Sequence, residues 1–271
     1  MIRLALSSLL LLAGALPVHA AEPSWPDLAD ALYDGRELQD GTRLIAIDAP
    51  YRTRDDARTQ IAAQIEAPEG RMLGNVQVIL DENPMPLSAV FTFDEPQKRF
   101  FFDVTMRVNG PTPLHVVAET TDGQLFVAET FVKTSGQGAC AAPPGTDPAE
   151  ALATLGNMTI GIEGNAQTAS ASAKLGALLA REKQVDLDIS HPSHSGMQMD
   201  QITLLFIPMR YVGELDIELD GGGYVDVTGS ISLSENPRIS MSVPRKTHSV
   251  DVTMTDTDGT VTHAHKTLEA H

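Results

Sequence analysis

Phe102-Asp103-Val104-Thr105-Met106-Arg107-Val108 decides how the chain is to be read. Apolar side chains fall on every second position with polar or charged ones between, the period of a strand that buries one face and wets the other. Working outward, Val76, Val78 and Leu80 alternate with Gln77 and Ile79, and strand-like runs cover residues 89–93, 114–119 and 125–132. Thr121-Asp122-Gly123 separates the last two as a hairpin turn, since Asp-Gly tolerates positive φ. Upstream, Ser24-Trp25-Pro26-Asp27 has the chemistry of a helix start, with Leu28, Ala31 and Leu32 on one face.

The second half repeats the style. Val185, Leu187 and Ile189 alternate with Asp186 and Asp188, and Leu215, Ile217 and Leu219 with Glu214, Asp216, Glu218 and Asp220. Gly221-Gly222-Gly223 turns the chain into residues 224–227, and Val250, Val252 and Met254 lead through Asp258-Gly259 to a last strand from Val261. Short strands at this spacing predict antiparallel sandwiches. The fold class is therefore all-β, two immunoglobulin-like β-sandwich domains joined by a flexible, partly helical linker. The expected divisions are a signal peptide over 1–20, a first sandwich over 21–134, a cysteine arm and linker over 135–183, and a second sandwich over 184–271. Within the linker the strand pattern vanishes. Asp147-Pro148 reads as a helix N-cap followed by proline at the first helical position, and a second short helix is expected over 173–182.

The N-terminus predicts the compartment. Arg3 precedes an apolar run, and Val18-His19-Ala20 supplies the small residues of a cleavage site, so a secretory signal is expected to end at Ala20. The apolar run falls short of the ~20 residues of a membrane span. A periplasmic location follows as the expectation. The chain carries a formal charge of −17; without Arg3 it has 18 basic against 36 acidic residues, or −18. Such a surface argues against nucleic acid or anionic lipid as partner.

One cysteine stands in the whole chain, Cys140. In an oxidising compartment a single thiol has no intramolecular partner and is buried, bound to another molecule, or used. Its surroundings, Thr134-Ser135-Gly136-Gln137-Gly138-Ala139-Cys140-Ala141-Ala142, contain no large apolar residue. Gly136, Gly138, Ala139, Ala141 and Ala142 predict a slender, pliant arm that extends up to roughly 20 Å beyond the sandwich and leaves the thiol in solvent. The nearest basic residue along the chain is Lys133, across a flexible stretch, so no local base activates Cys140 as an enzyme's nucleophile. No catalytic residues and no cofactor are expected.

The pieces resemble the SoxYZ sulfur carriers of thiosulfate oxidation. Gly138-Ala139-Cys140-Ala141-Ala142 is similar to that family's Gly-Gly-Cys-Gly-Gly arm, His191-Pro192-Ser193-His194-Ser195-Gly196 to its His-Pro loop, and Glu235-Asn236-Pro237 to its later Asn-Pro turn. The order of the two halves on one chain resembles the fused SoxYZ-like carriers associated with quinoprotein dehydrogenases. The resemblance implies that Cys140 holds a sulfur-containing intermediate covalently. It also implies as partners periplasmic redox and hydrolytic enzymes of sulfur oxidation, or a quinoprotein dehydrogenase system. The sequence departs from the family in having alanines around the cysteine and an arm tethered at both ends.

A rival class is a periplasmic copper-binding or scaffold protein. His191, His194, Met197 and Met199 lie within nine residues, and imidazole with thioether suits copper; Met197 and Met199 share a parity that instead suits the inner face of a strand. His263, His265 and His271 are spaced for an exposed strand and tail.

Overall fold

The computed structural model describes residues 24–136, 138–163 and 183–268. The predicted signal peptide, the helix expected over 173–182 and His271 lie outside them. Helix α1 (Trp25–Tyr33) opens the described chain. Strands β1 (Leu38–Asp40), β2 (Ile45–Asp48), β3 (Thr59–Glu66), β4 (Leu73–Leu80) and β5 (Leu87–Gln97) follow, then β6 (Arg99–Met106), β7 (Thr112–Thr120) and β8 (Leu125–Val132). After Cys140 come the short helix α2 (Pro148–Ala153), β9 (Met158–Glu163) and β10 (Lys183–Ile189). The remaining strands are β11 (Val212–Leu219), β12 (Gly222–Thr228), β13 (Arg238–Val243), β14 (Ser249–Asp256) and β15 (Val261–Thr267).

Two sheets face each other. One has nine strands in the order β1-β8-β7-β4-β5-β12-β11-β14-β15, the other six in the order β2-β3-β6-β13-β10-β9. Both run without a break from the first half of the chain into the second. In the larger sheet β12 pairs antiparallel with β5, from Val225 opposite Phe93 to Thr228 opposite Val90. In the smaller, β13 pairs antiparallel with β6, Ile239 opposite Val104 and Met241 opposite Phe102. The two sandwiches are thus joined edge to edge through both layers, and one hydrophobic core extends from Ile45 to Leu268. On the first-half strands that form the seam, Phe91 of β5 stacks on Phe102 of β6 with centroids 4.8 Å apart, and Phe93 meets the edge of Phe100 at 4.7 Å, tying the two sheets together there. Burying each ring contributes roughly 2–3 kcal/mol.

Two expectations are corrected here. The segment 135–183 is not strand-free: β9 adds an edge strand to the smaller sheet, Ile160 opposite Leu187 on β10. Its six residues do alternate, Met158, Ile160 and Ile162 with Thr159, Gly161 and Glu163, inside a stretch otherwise rich in small and polar residues. Nor does β6 wet one face. Phe101 and Asp103 on its second face are buried, because the joined sheets flank β6 on both edges and side chains of β3 and β13, such as Gln60 and Arg238 beside Asp103, cover that face. The predicted helix start at Asp147 is as expected: its carboxylate accepts from the amides of Ala149 and Glu150 at 2.9 and 3.3 Å.

Candidate functional site

Cys140 lies in a single 3-10 turn, Ala139–Ala141, reached from β8 through Gly136 and Gly138, both at positive φ. That conformation costs an ordinary residue energy and costs glycine nothing, so these two glycines let the chain turn sharply back onto the protein. The result overturns the expected solvent-held arm: Cys140 is fully buried and Ala139 nearly so. The missing core comes from distant sequence. Asn109, just beyond β6, accepts the Cys140 amide on its side-chain oxygen at 3.1 Å. Ser195 donates its hydroxyl to the Cys140 carbonyl, and the Gln198 amide group donates to the Ala142 carbonyl at 3.0 Å.

Both ends of the arm are held as well. The Asp56 carboxylate accepts the Ser135 amide at 3.0 Å and its hydroxyl. The two oxygens of Glu235 accept the amides of Gly145 and Thr146 at 2.7 and 2.8 Å. Every one of these contacts is a hydrogen bond, and no large apolar side chain of the arm is buried. Each is worth about 1 kcal/mol net because water offers a substitute. A docked arm of this kind is held by several kcal/mol, and its release exposes only the small side chains of Ala139 and Cys140.

The two remaining motifs build the platform beneath it. The His191 amide donates to the Asn236 side-chain oxygen at 3.0 Å, and the Asn236 amide donates back to the His191 carbonyl at 2.8 Å. The His-Pro loop and the Asn-Pro turn therefore clasp each other, with Asn236 itself in the left-handed region. Arg58, from the first half, donates to the carbonyls of Glu235 and Asn236 at 2.7 and 2.8 Å. Ser195 and Gln198 hang from this clasp, so the first half carries the thiol and the second half grips it.

The electrostatics keep the thiol neutral. Burial pushes Cys140 up to about 11, against the pull of the Arg107 guanidinium. Burial also pulls Arg107 down, while Cys140 and Glu235 hold it up. His191 is brought down to about 4 chiefly by burial, with Asp256 opposing and Arg210 adding to the fall. His194 is likewise lowered, first by burial and then by Arg107 and Arg210 against Gln198 and Glu235. A cleft of about 260 Å³ opens beside the arm, lined by Ala139, Ala142, Arg58, Arg107, Gln198 and Glu235 among others.

The histidines and methionines considered for copper have other engagements. His191 Nδ1 accepts the Ser193 amide at 2.9 Å and its Nε2 sits 3.4 Å from Asp256. His194 Nδ1 is 3.0 Å from the Gln198 oxygen. Met197 and Met199 do not share a strand's inner face: Met199 forms only an isolated bridge to Phe206 and is 39% exposed. His263 and His265, on β15, are bonded to Thr253 and Asp251 across the ladder. Among the described residues no three His, Cys, Asp or Glu side chains are gathered as for a metal ion. Asn109, Arg107, Gln198 and the Glu235 side chain were not anticipated as site residues; Glu235 and Ser195 were visible only as parts of motifs.

Comparison with known proteins gives two family matches. The model for sulfur oxidation protein SoxY covers residues 29–140, and that for sulphur oxidation protein SoxZ covers residues 177–267. Among solved structures the chain is similar to the sulfur carrier protein SoxY from Chlorobium limicola f thiosulfatophilum, at 22% identity over 41% of this chain and 96% of that one, with a TM-score of 0.33. It is also similar to the superoxide reductase (neelaredoxin) from Ignicoccus hospitalis, at 14% identity over 38% of this chain and 93% of that one, with a TM-score of 0.28. No curated protein matches. Fold and family matches together define a β-sandwich carrier of sulfur oxidation, a class of carriers rather than enzymes. Within it the chain belongs to the fused SoxYZ-like proteins, a SoxY domain followed by a SoxZ domain.

Proposed function

We propose that this protein holds a sulfur-containing intermediate covalently on Cys140 and presents it, from the periplasm, to the redox and hydrolytic enzymes of sulfur oxidation or of a quinoprotein dehydrogenase system. One observation carries this: the SoxY match ends on the chain's only cysteine, and that residue sits on a glycine- and alanine-built arm docked by hydrogen bonds and by burial of only small side chains. In the docked state the thiol is shielded from solvent oxidants. For exchange with an enzyme the arm lifts, trading its bonds to Asn109, Ser195, Gln198 and Glu235 for bonds to water or to the enzyme. The protein's own part is to carry and to shelter.

The test is intact-mass spectrometry of protein purified from its native source. A sulfur-containing mass increase confined to Cys140, absent from Cys140→Ser, is the expected result. A bare thiol, still bare after incubation with thiosulfate, an oxidant and the native extract, would refute the proposal. Fractionation of the same cells, and sequencing of the mature N-terminus at Ala21, would test the location.

A further inference from the structure

We propose that the cleft beside the docked arm is an oxoanion pocket, in which Arg107 receives the anionic head of the adduct on Cys140. This rests on the carrier function above and adds to it a positioning residue, Arg107, for the adduct's anionic head.

Arg107 is 2% exposed, and a guanidinium taken that far from water is costly unless a negative charge meets it. Among the described residues no carboxylate lies within ion-pairing distance of it. Glu235 acts on it through space, but that side chain's two oxygens are engaged by the amides of Gly145 and Thr146. Of the other carboxylates beside the arm, Asp56 is turned to Ser135 and Thr53, and Asp55, which also lines the cleft, accepts the Ala57 amide.

What Arg107 does have is an anchor. Nη1 donates to the carbonyls of Ile231 and Leu233 at 3.3 and 2.6 Å, which fixes the plane of the guanidinium from one side. A guanidinium carries five N–H donors in a rigid fork. The donors not used on those carbonyls remain, and the side chain lines the cleft together with Ala139 and Ala142 of the arm.

Position and chemistry then agree. Arg107 lines the same cleft as Ala139 and Ala142, the arm residues on either side of the Cys140–Ala141 pair, so a group attached to the thiol and turned into that cleft meets the guanidinium. A fork of donors matches the oxygens of a sulfonate as it does those of phosphate or carboxylate. The small side chains of Ala139 and Ala142 leave the space that such a head requires. An anionic adduct is thereby held in the docked state more firmly than a neutral one, and the arm's release becomes sensitive to what it carries.

The test loads Cys140 chemically with two adducts. Tetrathionate gives the anionic one: the thiol loses its proton to solvent, its sulfur attacks a bridging sulfur, a new S–S bond forms and the central S–S bond breaks. Thiosulfate leaves with the electron pair, so the cysteine sulfur is oxidised and tetrathionate reduced. Methyl methanethiosulfonate gives the neutral methyl disulfide, with methanesulfinate leaving. Intact mass confirms each adduct, and amide hydrogen exchange over residues 134–146 reads the docking. Exchange is expected to be about tenfold slower in the anionic form than in the methyl form, the size of one charge-assisted hydrogen bond. The difference should vanish in Arg107→Gln and survive in part in Arg107→Lys. Equal exchange in the two wild-type adducts would overturn the pocket, and that comparison stands even where Arg107→Gln fails to fold. A natively bare thiol would sink the carrier function alone, since the installed adducts do not depend on it.

Discussion

Cys140, in the docked state, is chemically quiet. With its thiol pushed up to about 11, roughly one molecule in a thousand is thiolate at pH 8, and the sulfur is out of contact with solvent. Iodoacetamide should therefore alkylate the folded protein at least a hundredfold more slowly than the urea-unfolded chain, as followed by mass. Asn109→Ala combined with Ser195→Ala removes two of the arm's bonds, worth about 2 kcal/mol together, and should speed alkylation of the folded protein more than tenfold. The pH dependence has a definite sign. A thiol raised from its ordinary 9.0 to about 11 favours docking fully below pH 9, and that contribution is lost as pH rises through 11. Protection of residues 134–146 in hydrogen exchange, corrected for intrinsic rates, should fall across that window in the wild type and stay level in Cys140→Ser. The cysteine and its glycines could be picked out of the sequence because their composition is unusual. Their burial could not, because Asn109 and Ser195 reach Cys140, and Gln198 reaches Ala142, from 31 to 56 residues away, and a local window shows only small residues.

Among the strands, β6 best separates what periodicity reveals from what it hides. The alternation of Phe102, Val104 and Met106 identifies a strand correctly, and those residues do face the core. Periodicity treats the other face as wet, whereas pairing with β3 and β13 encloses it. Asp103 is the residue that bears the cost. Burial raises it to about 7, with the Gln60 side-chain amide and Arg238 only partly offsetting the loss of water. A carboxyl raised in this way supports the fold below its ordinary 3.8 and withdraws that support as pH climbs through 7. Asp103→Asn should accordingly raise the thermal midpoint at pH 8, by the equivalent of a few kcal/mol at most, with the gain shrinking towards zero near pH 4. A melting series of the two proteins across that range decides the matter; a gain independent of pH would refute it. β9 was legible by the same test, since Met158, Ile160 and Ile162 alternate with Thr159, Gly161 and Glu163; only the small, polar composition around it hides it.

At the scale of the molecule, the two sandwiches share both sheets and one core, so neither half has an independent reason to unfold. Calorimetry should give one transition whose van't Hoff and calorimetric enthalpies agree. Phe91→Ala, at the seam, should lower that single transition by about 3–5 kcal/mol without splitting it; two resolved transitions would show the halves to be separable. The sequence revealed two sandwiches through their repeated turns, but not their joining, because nothing in a strand's own pattern marks which edge it offers to a partner. The attachment of the arm at both ends carries a consequence of its own. Because the chain leaves β8 at Val132 and enters helix α2 at its N-cap Asp147, Cys140 rides at the crown of a closed bight. Such a shape is at least two chains wide, close to 5 Å between backbones, and it enters a receptor broadside. An enzyme that admits its cargo through a narrow bore, sized for a single free end, would turn this carrier away, while one with an open-sided trench would receive it.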